Sequence, residues 1–211
     1  MGTEESGEAE KGPSRWSRAG KWLASPLLIT VVAAVLSGLL LPYIARGWQN
    51  HQKALEVKTG LVTQMSESSS GTVATSRFLA AKLIPSAVEA QPVWNKAYRD
   101  WATESSSIGA RLQAYVSLDA GTRWRSFGYA VTDFLSLSVR ASSLEGRKQQ
   151  IDELRALLPA SLRMSAATRA DLLAPRASAQ FQGAYRDVSL SLASWRDQLV
   201  REVLEAHMAG F

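Results

Sequence analysis

Residues 22–45 form an uncharged stretch that constrains this chain more than any other feature, with the sequence WLASPLLITVVAAVLSGLLLPYIA. Its 24 residues are long enough to cross a hydrocarbon core of about 30 Å as an α-helix, which rises about 1.5 Å per residue. A secretory signal has an apolar region of only about 7–15 residues and a small-residue cleavage site. We therefore predict a single transmembrane helix at 22–45 that is retained as a signal-anchor, with the lipid bilayer as a partner.

The flanks of this stretch bear on its orientation. Residues 1–21 are polar and mixed in charge, and we expect a disordered tail there. The tail carries four Lys and Arg residues, and three follow the stretch within the next 13 residues. Because short tails obey the positive-inside rule better than long domains do, we expect the tail in the cytoplasm and residues 46–211 on the extracytoplasmic side of the cell membrane. The excess of Arg over Lys suggests a GC-rich bacterial source.

The charge and the cysteine content exclude several classes. All of the formal net charge of +5 lies after residue 45, where 20 basic and 15 acidic side chains alternate without a basic block. A nucleic-acid surface would gather its positive charge into one patch, so we do not expect nucleic-acid binding. The chain has no cysteine, which excludes disulfides, thiolate metal sites and a bacterial lipoprotein anchor.

Residues 46–211 show apolar residues at alternating intervals of three and four, the period of helices that pack along one stripe. The pattern is regular in 91–117 and again in 178–208, with further helices at 46–84 and at 122–158, the latter broken near 141–147. A short helix at 166–173 is also expected. Alternating β-branched runs and hairpin turns are missing. We predict an all-α fold, an antiparallel bundle of about four helices.

The first of these helices carries the candidate interaction surface. Trp48, Leu55 and Val62 are seven residues apart, and we predict that they share one face with Ile44 and Met65. This face could bind a protein partner or a second copy of the chain. The segment 68–71, Ser-Ser-Ser-Gly, is a predicted point of weakness in the helix. A turn is predicted at 118–121.

No motif for catalysis or for cofactor binding occurs in the sequence. The two histidines, His51 and His207, lack the spacing of metal ligands, and glycine-rich phosphate loops and nucleophile elbows are missing. We therefore predict no catalytic residue, metal or cofactor, and expect a protein that is not an enzyme.

Two functions remain open. The first is a membrane-anchored interaction or scaffold protein, which needs no chemistry. The second is an extracytoplasmic ligand sensor, because the predicted bundle resembles in architecture the four-helix ligand-binding domains of bacterial chemoreceptors and sensor kinases. Those receptors have a second span and an output domain, neither of which is evident here, so a sensor would signal through a partner protein. For an anionic ligand, the candidate contacts are Arg77, Arg111 and Arg123.

Overall fold

The computed structural model describes residues 41–81, 87–139 and 144–206. Internal contacts divide the chain into two compact units, Met1–Gln52 and Lys53–Phe211. Most of the predicted transmembrane segment, 22–45, falls outside the described residues. Among the helices that are described, none combines the length and the apolar character needed to cross a membrane.

Every regular element in the described ranges is helical, which confirms the predicted all-α class. The elements are α1 (Leu41–Ala80), α2 (Ala87–Tyr115), α3 (Leu118–Val139), α4 (Leu144–Leu157), a 3₁₀ turn (Ala160–Leu162), α5 (Ala166–Leu173) and α6 (Ala179–Glu205). Both α5 and α6 begin at a serine, Ser165 and Ser178, whose hydroxyl accepts a hydrogen bond from the backbone N–H three residues later. Such caps satisfy N–H groups that have no partner inside the helix.

The long helices α1, α2, α3 and α6 form an antiparallel four-helix bundle. On one side, α2 and α3 make a hairpin in which Trp94 Nε1 donates to Leu135 O (3.2 Å) and Trp124 Nε1 donates to Ser105 O (2.9 Å). The earlier position on α2, Trp94, pairs with the later position on α3, Leu135, whereas Ser105 pairs with the earlier Trp124. The two helices are therefore antiparallel. The helices α4 and α5 lie between α3 and α6 in the chain; α4 packs on α3, α5 packs on α6, and α4 and α5 contact each other.

Three polar contacts join α1 to α6, and they also run in opposite directions along the two helices. Lys58 Nζ donates to Leu204 O at 2.9 Å, Arg196 Nη1 donates to Ser70 Oγ at 2.5 Å, and Gln182 Nε2 donates to Ala80 O at 2.7 Å. Lys58 Nζ also donates to Ala206 O. The two helices are therefore antiparallel neighbours from Lys58 to Ala80.

The core is built around α3, whose buried side chains include three large rings, those of Trp124, Phe127 and Phe134. Phe127 lies 5.2 Å from Trp124 and 5.4 Å from Trp195, measured between ring centroids, and Phe134 stacks on Tyr185 at 4.1 Å. The apolar positions predicted for α6 are all buried, which confirms that heptad pattern: Phe181, Tyr185, Val188, Leu192, Trp195, Leu199 and Val203. Each buried aromatic side chain removes a large apolar area from water, which favours folding.

The face of α1 that enters the bundle differs from the face that the sequence predicted to bind a partner. Its buried positions are Ala54, Leu61, Met65, Ser69, Thr72, Ser76, Leu79 and Ala80. Of the residues predicted to share one face, Met65 belongs to this set, Val62 is half-buried, and Trp48 and Leu55 are exposed, while the side chain of Ile44 lies outside the described residues. The partner contact predicted for this face stays a prediction. Neighbouring positions such as 54 and 55 point about 100° apart on a helix.

Two predicted breaks are also absent from the described helices. α1 continues through residues 68–71, and hydroxyls in this part of the helix bond to carbonyls one turn back, as Thr72 Oγ1 does to Ser68 O (2.9 Å). The predicted turn at 118–121 is instead the first turn of α3, capped by Ser117, whose hydroxyl accepts from Ala120 N at 3.0 Å. Of the interruption predicted near 141–147, residues 144–147 are helical because α4 begins at Leu144, and residues 140–143 lie outside the described residues.

Candidate functional site

The predicted interaction surface is split by the structure. The exposed fraction is 69% for Trp48 and 49% for Leu55, so both residues present large apolar area to solvent. Val62 is half-buried and packs against the main core. α1 therefore has one stripe that faces the bundle and exposed apolar residues elsewhere on its surface. Single exposed apolar residues are common on proteins, but tryptophan is also enriched at contact sites.

The three candidate arginines lie in three separate places. Arg111 Nη1 donates to Gln64 Oε1 at 2.9 Å, which ties α2 to α1. Arg123 forms ion pairs with Asp119 (2.8 Å) and Glu202 (2.9 Å), and its hydrogen bond to Asp119, with the charge of Glu202, raises its pKa. Arg77 lies in the last turn of α1 and enters none of the ion pairs formed within the described part of the chain. Of the three arginines, Arg77 alone forms no ion pair or side-chain hydrogen bond with another described residue.

Two grooves of opposite charge flank α1. The groove between α1 and α2 has a volume of about 540 Å³, and its carboxylates belong to Glu67, Asp100 and Glu104. The groove between the end of α1 and the start of α6, here named the Arg77 groove, has a volume of about 770 Å³ and contains Arg77 and Arg186. Both volumes lie in the range of small-molecule sites, about 300–1,000 Å³.

The buried titratable groups are structural. Tyr185 is fully inside the core, and burial raises its pKa above the ordinary value. Its hydroxyl donates to Phe134 O at 2.8 Å, so it is neither ionised nor placed to exchange a proton with solvent. Asp133, on α3, is half-buried, and burial together with the nearby Glu153 raises its pKa to about 6. Asp133 lines neither of the grooves described above, whereas Tyr185 is among the residues that line the Arg77 groove.

Two half-buried arginines, Arg147 and Arg176, lie where four helix ends meet. Arg147 Nη1 donates to Ala174 O at 2.9 Å, at the end of α5, and Arg176 Nη1 donates to Val139 O at 3.1 Å, at the end of α3. Burial and the charge of Arg147 lower the pKa of Arg176. Cations at helix C-termini complement the partial negative charge of the last carbonyls. These arginines therefore stabilise the attachment of the α4–α5 insertion.

Within the described ranges, no group of three or more histidine or acidic side chains could hold a metal ion. His207 lies outside the described residues, as does the side chain of His51. The sequence singled out Arg77 but not Arg186. The signal that could have revealed Arg186 is the antiparallel pairing of α1 with α6, which brings these distant arginines to one groove.

Comparisons with known proteins place no further constraint on the site. No protein-family model, no curated protein and no solved structure matches the chain. The functional argument therefore depends on the chemistry of the residues described above.

Proposed function

We propose that the chain is a membrane-anchored helical-bundle protein that binds a partner protein, or a second copy of itself, and acts as a scaffold without catalysis. The observation that carries this proposal is the exposure of Trp48 and Leu55 on α1. Large apolar side chains that do not enter the bundle gain free energy when a partner covers them.

The anchor is supported by the sequence. The uncharged run 22–45 leads into α1, which begins at Leu41. A chain held at a bilayer meets its partners at a raised local concentration, so a modest apolar contact is sufficient for association. The expected location of the bundle is the extracytoplasmic side.

The test uses the full-length protein in native membranes, with a photo-crosslinking side chain placed at position 55. The matched control is position 190, because Leu190 on α6 is also an exposed leucine, with an exposed fraction of 60% against 49% for Leu55. We expect a discrete crosslinked product from position 55 and none from position 190. Equal crosslinking from both positions, or none from position 55, would contradict the interaction surface.

The anchor has its own measurement. Carbonate extraction at high pH releases peripheral proteins and leaves integral ones in the pellet. We expect the full-length chain to stay with the membrane and a variant with three arginines inside the run, Ala33→Arg, Leu36→Arg and Leu39→Arg, to be released, because each charge near a bilayer centre costs about 2.5–3.5 kcal/mol. Release of the unmodified chain would refute the anchor.

A second candidate function is a ligand-sensing bundle that signals through a partner protein. It is favoured by one specific observation, the Arg77 groove, which combines two arginines with a volume suited to a small molecule. A sensor of this kind would change the position of α1 when its ligand binds. Because α1 continues from the proposed anchor, it is the helix through which such a change would reach the membrane.

A further inference from the structure

The Arg77 groove lies where α1 ends and α6 begins. α1 and the turn after it contribute one wall, and the first two turns of α6 contribute the other: Ala74, Arg77, Phe78 and Ala81 on the first side, and Ala179, Gln182, Gly183, Tyr185 and Arg186 on the second. Four of these nine residues are alanine or glycine. The groove therefore has an open floor between two arginines that come from different helices.

Its lining residues carry two positive charges and no negative charge. The carboxylate nearest in sequence is that of Asp187, whose Oδ1 is 3.9 Å from Arg186 Nε, and both side chains are exposed. An exposed pair at that distance contributes little, so the Arg186 guanidinium can exchange this partner for a ligand. The start of α6 adds a weak positive potential from the helix dipole.

The shape of the groove is fixed by the bundle rather than by a ligand. The amide nitrogen of Gln182 donates to Ala80 O at 2.7 Å and to Arg176 O at 2.8 Å, which holds the end of α1 against the turn before α6. Gly183 has no atom within 4 Å of the place where a Cβ would lie. Phe78 presents a ring with an exposed fraction of 44% to the same space.

We propose that the Arg77 groove binds a small organic anion, with carboxylate or phosphate groups held by Arg77 and Arg186 and an apolar part resting against Phe78. Guanidinium groups donate paired hydrogen bonds to both kinds of oxyanion. This proposal goes beyond the interaction role, because a scaffold that binds partners through Trp48 and Leu55 has no need of an anion site.

Binding is measured by isothermal titration calorimetry on the full-length chain in detergent. The probes are phthalate, which has a ring and two carboxylates, succinate, which has the carboxylates alone, and inorganic phosphate. Benzamide serves as a neutral ring control. We expect phthalate to bind more tightly than succinate, because of the ring of Phe78, and benzamide not to bind. Phosphate binding with no phthalate binding would overturn the apolar part of the site.

Variants locate the site. Arg77→Gln and Arg186→Gln are each expected to weaken phthalate binding about tenfold or more, since a hydrogen bond to a charged group contributes about 1.5–3 kcal/mol. Arg201→Gln is the matched control, because Arg201 is an exposed arginine on the same helix. Equal weakening in all three variants would show attraction to net charge alone and would refute the site, as would the absence of binding by every anionic probe.

A variant that keeps every charge completes the test. Gly183→Leu places a side chain in the open floor of the groove, where the glycine has no neighbour within 4 Å. We expect it to abolish phthalate binding while the helical circular dichroism spectrum stays unchanged. Unaltered binding in Gly183→Leu would place the anion elsewhere. Failure of these tests leaves the proposed scaffold role standing, because crosslinking from position 55 measures a different surface.

Discussion

α3 and α1 are neighbours of the same two helices, α2 and α6, but they face the core with different chemistry. α3 inserts Trp124, Phe127 and Phe134, each almost fully buried. At the middle of α1, seven of the eleven residues from 66 to 76 carry a hydroxyl group. The hydroxyls of Ser69, Thr72, Thr75 and Ser76 donate to carbonyls of α1 itself, whereas Ser70 Oγ accepts from Arg196 of α6.

This difference indicates that α3 and α1 contribute unequally to the stability of the bundle. Apolar burial contributes about 25 cal/mol per Å², so the ring-lined α3 is the larger source. α1 adds less apolar area, has a groove on each side, and contains residues of low helix propensity. We infer that α1 opens from the bundle at a lower free energy than α3 does, as the less densely packed parts of proteins commonly do.

The largest effect expected from this comparison is that of Phe127→Ala. Phe127 contacts Trp101, Trp124 and Trp195, and its truncation leaves a cavity that costs about 3–5 kcal/mol. The counterpart on α1 is Ser69→Ala, which removes a buried hydroxyl bonded only within its own helix and should change stability by less than about 1 kcal/mol. Urea unfolding of both variants measures the two values. Similar losses of unfolding free energy in the two variants would contradict the inferred difference between α3 and α1.

A pair of identical substitutions gives opposite signs. Gly128→Ala places a Cβ 2.7 Å from Ser105 Oγ, between α3 and α2, and the crowding outweighs the gain in helix propensity to give a net loss of about 1 kcal/mol. Gly71→Ala on α1 meets no atom within 4 Å and should stabilise by about 1 kcal/mol. Thermal unfolding gives both signs.

The crowding at Gly128 has its own control. Ser105→Ala removes the Oγ and leaves a Cβ 3.9 Å from the added methyl group, an ordinary contact distance. The double variant Gly128→Ala, Ser105→Ala should therefore recover the stability lost by Gly128→Ala. If it does not, the close approach of α2 and α3 at this point is not the cause of the loss.

The smallest expected effect on stability is the pH dependence caused by Asp133, a half-buried carboxyl on α3. Its pKa in the folded state is about 6, raised by burial and by Glu153, whereas an unfolded aspartate titrates near 3.9. Between these values the unfolded state loses its proton first, so stability falls as the pH rises from about 4 to about 6 and stays lower above that.

Asp133→Asn should remove this dependence. We expect it to be more stable than the unmodified chain at pH 7, by about 1 kcal/mol once solvent screening of the half-buried carboxyl is allowed for, and equal to it near pH 4. Urea unfolding at the two pH values measures the difference. A variant that is less stable at pH 7 would show that the carboxylate has a favourable partner.

The sequence predicted α6 well and α1 poorly for one physical reason. In α6 every buried position is large and apolar except Ala184 and Ser189, so hydrophobic periodicity alone identifies its face. In α1 the inward stripe mixes Leu61, Met65 and Leu79 with alanine and hydroxyl side chains, and two other large apolar side chains, Trp48 and Leu55, are exposed. Hydrophobic periodicity therefore does not identify the inward stripe of α1.

The candidate site was only partly predictable for a related reason. Arg77 could be singled out as a cation near a helix end, but Arg186 joins it only through the pairing of two helices that are about 100 residues apart in the chain. Such pairings depend on which helix faces meet, and the sequence did not identify the face of α1 that meets α6. Arg111 and Arg123 were equally plausible until their partners, Gln64 and the Asp119–Glu202 pair, became visible.

The polar contacts between α1 and α6 have a mechanical consequence for an anchored protein. Lys58 donates a hydrogen bond to the carbonyl end of α6, Arg196 donates to Ser70, and Gln182 donates to the carbonyl of the last residue of α1. If the bilayer pulls on α1 along its axis, the antiparallel arrangement places these contacts in shear, so that they resist together. A sideways force would instead peel them apart one at a time. The bundle should therefore withstand axial tension better than lateral displacement.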